Sequence, residues 1–163
     1  MKRCIALLSM ILLLGCQSNK TRVSSVTGQQ VEPKVTTAPT VTAPSFEWVQ
    51  DYDRALAAAK GTKRIVMVDI YTDWCGWCKK LDKDTYNDKG VGDKVAKDFV
   101  AVKLNPEKNL KGATLAKEFG TTGYPHIVFV DATGKKVSEI NGYLPPGEFL
   151  KRLKMISDKA TKK

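Results

Sequence analysis

The sequence predicts an α/β domain, with a central mixed β-sheet flanked by helices on both faces. Three observations predict it. Apolar runs at 65–70, 99–104 and 127–130 are too short for buried helices and read as buried strands. Stretches of helical period separate them, which calls for a parallel pair joined by a right-handed crossover. Ala132-Thr133-Gly134 then turns the third run into residues 135–141, adding an antiparallel edge.

Each element has its local reason. Trp48, Tyr52, Ala55, Leu56 and Ala59 recur at helical spacing, and Gly61 offers a stop. The first strand, 65–70, runs into Tyr71. A helix carrying Cys75 and Cys78 follows and continues to Tyr86. Asn87 and Asp88 turn the chain and cap a short helix through Val95 and Ala96. The second strand leads into a polar loop over 105–111. A short helix at 113–119 is stopped by Gly120. The last helix, 146–159, sets Phe149, Leu150, Leu153 and Ile156 on one stripe. The stretch from Phe46 is long enough for one core and not for two. No internal repeat is present.

Residues 1–15 read as a leader. Lys2 and Arg3 precede an apolar run from Ile5 to Leu14. Ten residues are too few for a membrane span, which needs about 20. The run ends in Leu13-Leu14-Gly15-Cys16, which resembles the bacterial lipobox. That resemblance implies cleavage before Cys16 and lipid on Cys16, each buried methylene adding about 0.8 kcal/mol of membrane affinity. Gln17, rather than Asp, then points to the outer membrane. Residues 16–45 are rich in Ser, Thr, Val, Gln and Pro and read as a disordered tether of about 30 Å. Residues 46–163 form the folded domain.

Cysteine usage isolates one pair. Cys4 leaves with the leader and Cys16 takes lipid, so Cys75 and Cys78 remain for the domain. Two cysteines separated by two residues at a strand-to-helix junction form a redox motif. A helix N-terminus favours thiolate over thiol and lowers a cysteine pKa below roughly 8.5. Cys75 is expected to be the exposed nucleophile. Cys78, one turn later, is placed to resolve a mixed disulfide.

The net charge is +10, and loss of Lys2 and Arg3 lowers it to +8. Lys151, Arg152, Lys154, Lys159, Lys162 and Lys163 crowd the last helix. No basic motif interleaved with aromatics is present, so nucleic acid is not the expected partner. Anionic headgroups or acidic proteins are, unless the basic residues are only a solvated face.

Four separated features resemble the thioredoxin superfamily. They are Trp74-Cys75-Gly76-Trp77-Cys78-Lys79, Asp69 six residues before Cys75, Lys103 in the second strand, and Gly123-Tyr124-Pro125 before the third strand. The chain is similar to bacterial thioredoxin-like lipoproteins and to the C-terminal domain of DsbD-type thiol reductases. The resemblance covers roughly 46–160. It implies a thioredoxin fold, a buried carboxylate at Asp69 paired with Lys103, and a cis-proline at Pro125 beside the cysteines. The chain departs from the best-known thioredoxins in having Gly76-Trp77 where they have Gly-Pro. It also has His126 where many have Thr.

Every candidate has a plainer rival. Asp69, if buried, has a raised pKa and can take a proton from Cys78; otherwise it faces solvent at a strand end. Lys103 is otherwise a solvated residue. Trp74 and Trp77 offer contact area around Gly76, although Trp74 also suits a core. Pro125 presents the Tyr124 backbone to an extended substrate, or is a trans proline opening the strand. His126 meets a partner or tunes the thiolate, or is a bystander.

The expectation is a lipid-anchored thiol–disulfide oxidoreductase facing the periplasm. It reduces disulfides of envelope proteins through the Cys75–Cys78 pair, without a dissociable cofactor. A membrane thiol reductase supplies electrons, since no flavin or nicotinamide motif is present. The same residues also suit an oxidase or isomerase. The rival class is a copper-delivery module using Cys75, Cys78 and His126. A structural adaptor is disfavoured by the intact cysteine pair.

Overall fold

The computed structural model describes residues 44–161. The predicted leader, the lipidation site Cys16 and almost all of the tether lie outside the described residues. A short strand β1 (Trp48–Val49) comes first, then α1 (Tyr52–Thr62), β2 (Ile65–Ile70) and α2 (Gly76–Lys80). A π-helical segment (Leu81–Tyr86) extends α2 without a break. Then come α3 (Lys89–Asp98), β3 (Phe99–Leu104), α4 (Leu110–Glu118), β4 (His126–Val130), β5 (Lys136–Asn141) and α5 (Pro146–Thr161). Among the described residues, no helix is long and apolar enough to cross a membrane.

The sheet order is β1-β3-β2-β4-β5. β1, β3 and β2 are parallel, while β4 and β5 are antiparallel. This is the mixed sheet of a thioredoxin fold. Strand alternation divides the core in two. Val66, Val68 and Ile70 of β2 join Val100, Val102, Leu104, Val128 and Val130 beneath α1 and α4. Ile65 and Met67 join Phe99, Ala101, Ile127 and Phe129 on the other face. There the π segment supplies Leu81 and Tyr86, α3 supplies Val91 and Val95, and α5 supplies Phe149, Leu153 and Ile156. Full burial of each such side chain contributes about 2 kcal/mol.

Two element boundaries differ from the sequence reading. Trp48 does not start a helix; it lies in β1, edge-on to Phe46 and Tyr86 at 5.0 Å each. The helix begins at Tyr52 because the Asp51 side chain caps it, accepting from the Arg54 N–H at 2.8 Å. It runs through Gly61 and closes on Lys63, at φ 56°. In α4 the Asn109 side chain accepts from the Gly112 N–H, so that helix starts three residues before Ala113. Its expected stop holds: Gly120 takes φ 73°, and the Thr121 N–H returns to the Ala116 carbonyl at 2.8 Å. The hairpin turn is tied by Asp131, whose Oδ1 accepts from Thr133 and Lys135, with Gly134 at φ 87°.

Candidate active site

Loops at one end of the sheet build the site. β2 and β3 both run toward it, and the Tyr71 N–H donates to the Leu104 carbonyl at 3.0 Å, extending their pairing. The loop after β2 is braced by the loop after β3. Asp73 pairs with Lys108 at 2.7 Å and accepts from Asn105 at 3.3 Å. The Lys108 hydrogen bond holds the Asp73 carboxyl below its usual range. The Trp74 indole donates to Glu107 at 2.9 Å.

Cys75 occupies the N-cap of α2. Its N–H donates to the Thr72 carbonyl at 3.2 Å, and its Sγ accepts from the Cys78 N–H at 3.0 Å. Cys75 and Cys78 are joined in a disulfide, with their Cα atoms 5.3 Å apart. In this state Cys75 is 5% exposed and Cys78 2%. The expected contrast between an exposed and a shielded cysteine is therefore small, because the bridge holds Cys75 against its partner.

Exposed aromatics surround the pair instead. Trp74 is 67% exposed and Trp77 59%, so core packing of Trp74 is excluded in this state. Trp74 meets Tyr124 edge-on at 5.8 Å. That contact brings the loop of the cis Tyr124–Pro125 peptide to the cysteine loop. Trp77 lies against Tyr143 at 5.6 Å, and the Lys80 ammonium stands 5.3 Å from the Tyr143 ring. The Pro125 carbonyl accepts from the Gly142 N–H at 2.8 Å, tying the cis-proline loop to the loop after β5 that carries Tyr143. Gly76, between the cysteines, has open space where a side chain would stand.

Asp69 is buried on the sheet face covered by the π segment. It is the register neighbour of Lys103 on β3, whose Nζ lies 3.3 Å from its Oδ2. Lys103 also contacts Asp82 and stands 4.9–5.5 Å from the rings of Tyr71, Trp48 and Tyr86. Neither Asp69 oxygen nor the Tyr86 hydroxyl has a well-aligned hydrogen bond. Burial pushes the Asp69 carboxyl up to about 6, against the opposing pull of Lys103. Burial, and then the Asp69 charge, push the Tyr86 phenol well above its usual value.

His126 is not presented to a partner. It is 1% exposed and alternates onto the opposite sheet face, with Val128 and Val130. Nε2 lies 3.1 Å from Glu139 Oε2, and Nδ1 lies 2.8 Å from the Thr121 hydroxyl. Hydrogen bonds from Lys136 and then His126 hold the Glu139 carboxyl below its usual range. A carboxylate only accepts, so the ring donates through Nε2, and Nδ1 is engaged with the Thr121 hydroxyl. Both nitrogens are spent, which corrects the reading of His126 as a substrate contact or a copper ligand. Among the described residues, no group of three or more His, Cys, Asp or Glu side chains is placed to hold a metal.

The sequence reading missed Asp82, Tyr86, Glu107, Glu139 and Tyr143. Asp82 carried a usable signal, four residues after Cys78 on the same helix. Tyr86 lies four residues further along that helix, while Glu107, Glu139 and Tyr143 are brought in from separate loops and strands, with no local mark.

The profile of the thioredoxin-like domain matches residues 52–157. The chain is 35% identical over 118 residues to the thiol:disulfide interchange protein DsbD of Actinobacillus pleuropneumoniae. That alignment covers 69% of this chain and 20% of the relative, so the chain spans about a fifth of that protein's length. A solved thioredoxin from Thermus thermophilus superposes with TM-score 0.64 at 30% identity, covering 71% of this chain and 90% of that one. The reduced C-terminal domain of Neisseria meningitidis DsbD superposes with TM-score 0.52 at 26% identity, over 62% of this chain and 89% of that one. With its fold, its paired cysteines and a family match across most of its length, the chain belongs to the thioredoxin-like domain family.

Proposed function

We propose that this protein is a thiol–disulfide oxidoreductase of the bacterial envelope, anchored by lipid on Cys16 and working as a reductant of protein disulfides. The observation that carries the reading is the Cys75–Cys78 disulfide at the cap of α2, with the Cys78 N–H aimed at Cys75 Sγ. Once the pair is reduced, that N–H and the helix terminus favour negative charge on Cys75.

The Cys75 thiolate attacks one sulfur of a substrate disulfide. A mixed disulfide forms and the other substrate sulfur leaves as thiolate. Cys78 then gives up its proton and attacks Cys75 Sγ. The second substrate sulfur leaves, and the pair ends as the disulfide seen here. Two electrons have passed to the substrate. Asp69, with its carboxyl raised to about 6, accepts the Cys78 proton. Lys103 and Asp82 set the field around Asp69. Trp74, Trp77 and Tyr124 give an incoming chain its contact area, and Pro125 shapes the edge it meets. A dithiol of a membrane thiol reductase returns the electrons, a partner suggested by the DsbD relatives.

The test is insulin reduction by the purified protein with dithiothreitol as electron source. Cys75→Ser abolishes it. Cys78→Ser keeps the attacker and loses the resolver, so it accumulates mixed disulfides on non-reducing gels. Trapping by Cys75→Ser alone would reverse the roles. A reduction potential near that of thioredoxin, about −270 mV, supports the reducing direction; one near about −120 mV turns the reading to an oxidase. An acyl mass on Cys16 of the mature protein tests the anchor.

A further inference from the structure

The dithiol lies at one end of the sheet, and the opposite end has a different character. Strand register places Ile65, Phe99, Val130 and Lys136 together at that opposite end. Strands of this length, at about 3.3 Å per residue, separate the two ends by roughly 20 Å.

The C-terminal turns of α1, α3 and α5 gather there. They carry Lys60, Lys97 and Lys159, and Lys63 caps α1. A groove of about 360 Å³ opens beside them between β5 and α5. Lys135, Lys136, Arg152 and Lys159 line it, and so do Val137 and Met155. Those two apolar side chains are 44% and 52% exposed.

Opposing charge is sparse at this end. Asp131 is spent on its own turn, and Asp98 is paired with Lys94 at 2.7 Å. Asp158 remains. Among the described residues, Lys60, Lys63, Lys97, Lys135 and Lys159 have no ion-pair partner.

A peptide carboxylate would be met by donors converging on one point. Here the cations come from four separate segments and stand exposed around an apolar step. That arrangement matches a plane of anionic headgroups above acyl chains. We propose that this end docks on an anionic lipid surface, with Val137 and Met155 at the contact and the dithiol held away from it. The inference does not depend on lipid at Cys16 or on the direction of thiol exchange.

The test uses residues 44–163, after a cooperative urea transition has shown that this stretch folds by itself. Vesicles of phosphatidylcholine are compared with vesicles that also contain phosphatidylglycerol. Binding is expected only to the anionic vesicles, and to weaken with salt. Lys135→Gln and Lys159→Gln each weaken it about fivefold. Met155→Ser weakens it by a similar factor, roughly that of losing half a buried side chain. Insulin reduction stays at the parent rate in all three, showing that they fold. Brominated acyl chains leave tryptophan emission unquenched, since Trp74 and Trp77 sit at the other end and Trp48 packs against Phe46 and Tyr86 in β1. Equal binding to both vesicle types, or binding indifferent to the substitutions, overturns the proposal. So does tryptophan quenching, which would move the contact to the aromatic collar. Capture of soluble poly-glutamate without vesicle binding would reassign the surface to an acidic protein.

Discussion

Two buried ionisable side chains sit on opposite faces of the same sheet. Asp69, under the cysteine-bearing helix, has a cation nearby but no well-aligned hydrogen bond, and its carboxyl is raised to about 6. His126, on the other face, has both ring nitrogens engaged by Thr121 and Glu139. Burial costs both of them, but only His126 is repaid by a complete set of partners. The difference teaches where chemistry is placed. A satisfied buried group holds the fold; an under-satisfied one is poised to exchange a proton.

Substitutions can break or sharpen that comparison. The largest effect is expected from Asp69→Asn, which removes the group proposed to accept the Cys78 proton. The resolving step at pH 7 slows by about 100-fold, the lower range for a general base, read by stopped-flow release from a mixed disulfide. The same substitution stabilises the fold in alkali. The native carboxyl binds its proton more tightly than the unfolded one, so stability falls as pH rises from about 4 to about 6 and stays low above that. Removing the charge recovers about 3 kcal/mol at pH 8 and almost nothing below pH 4, by urea titration. Equal stability of the two proteins at pH 8 would show that Asp69 is not strained by burial.

His126→Ala should do the reverse. It removes a fully buried ring and leaves Thr121 and Glu139 short of a partner. A loss of about 3 kcal/mol is expected, with turnover per folded molecule unchanged. A rate loss with intact stability would give His126 the catalytic part denied it here.

Lys103→Met is a smaller change. It takes away the cation between Asp69 and Asp82, so the Asp69 carboxyl rises further. The pH midpoint of the resolving step shifts upward, and an unmoved midpoint would remove Lys103 from the site. Glu139→Gln should do least. Hydrogen bonds from Lys136 and then His126 depress the Glu139 pKa, so its contribution is present above the unfolded value of 4.5 and lost as pH falls below it. The carboxylate is 39% exposed and solvent screens it, so the loss at pH 7 stays under about 1 kcal/mol.

Much of the site was legible because its signals are local. Cys75 and Cys78 lie one turn apart at a strand–helix junction, and Asp69 interrupts an apolar strand. Those marks survive without any knowledge of the fold. The cis state of the Tyr124–Pro125 peptide was implied by resemblance and is present. Trp48 was misread because one helical period ran from it to Ala59, while the Asp51 cap and pairing with Ala101 decide otherwise. His126 was misread for a different reason. Position beside Pro125 says which loop a residue belongs to, but strand alternation says which face its side chain takes.

The sequence by itself determined the order of elements from α1 onward, the two-faced sheet and the thiol pair, because each depends on periodicity or on spacing within one turn. Tertiary structure alone decided the rest. Asp82 and Asp69 share Lys103 because β2, β3 and the π segment meet there. Trp77 rests on Tyr143, and Trp74 on Tyr124, because loops far apart in sequence converge at one sheet end. The basic end forms because three helices finish at the same edge. Contacts of that kind depend on where the strands stop relative to one another, and register across a sheet is set by packing rather than by any one segment.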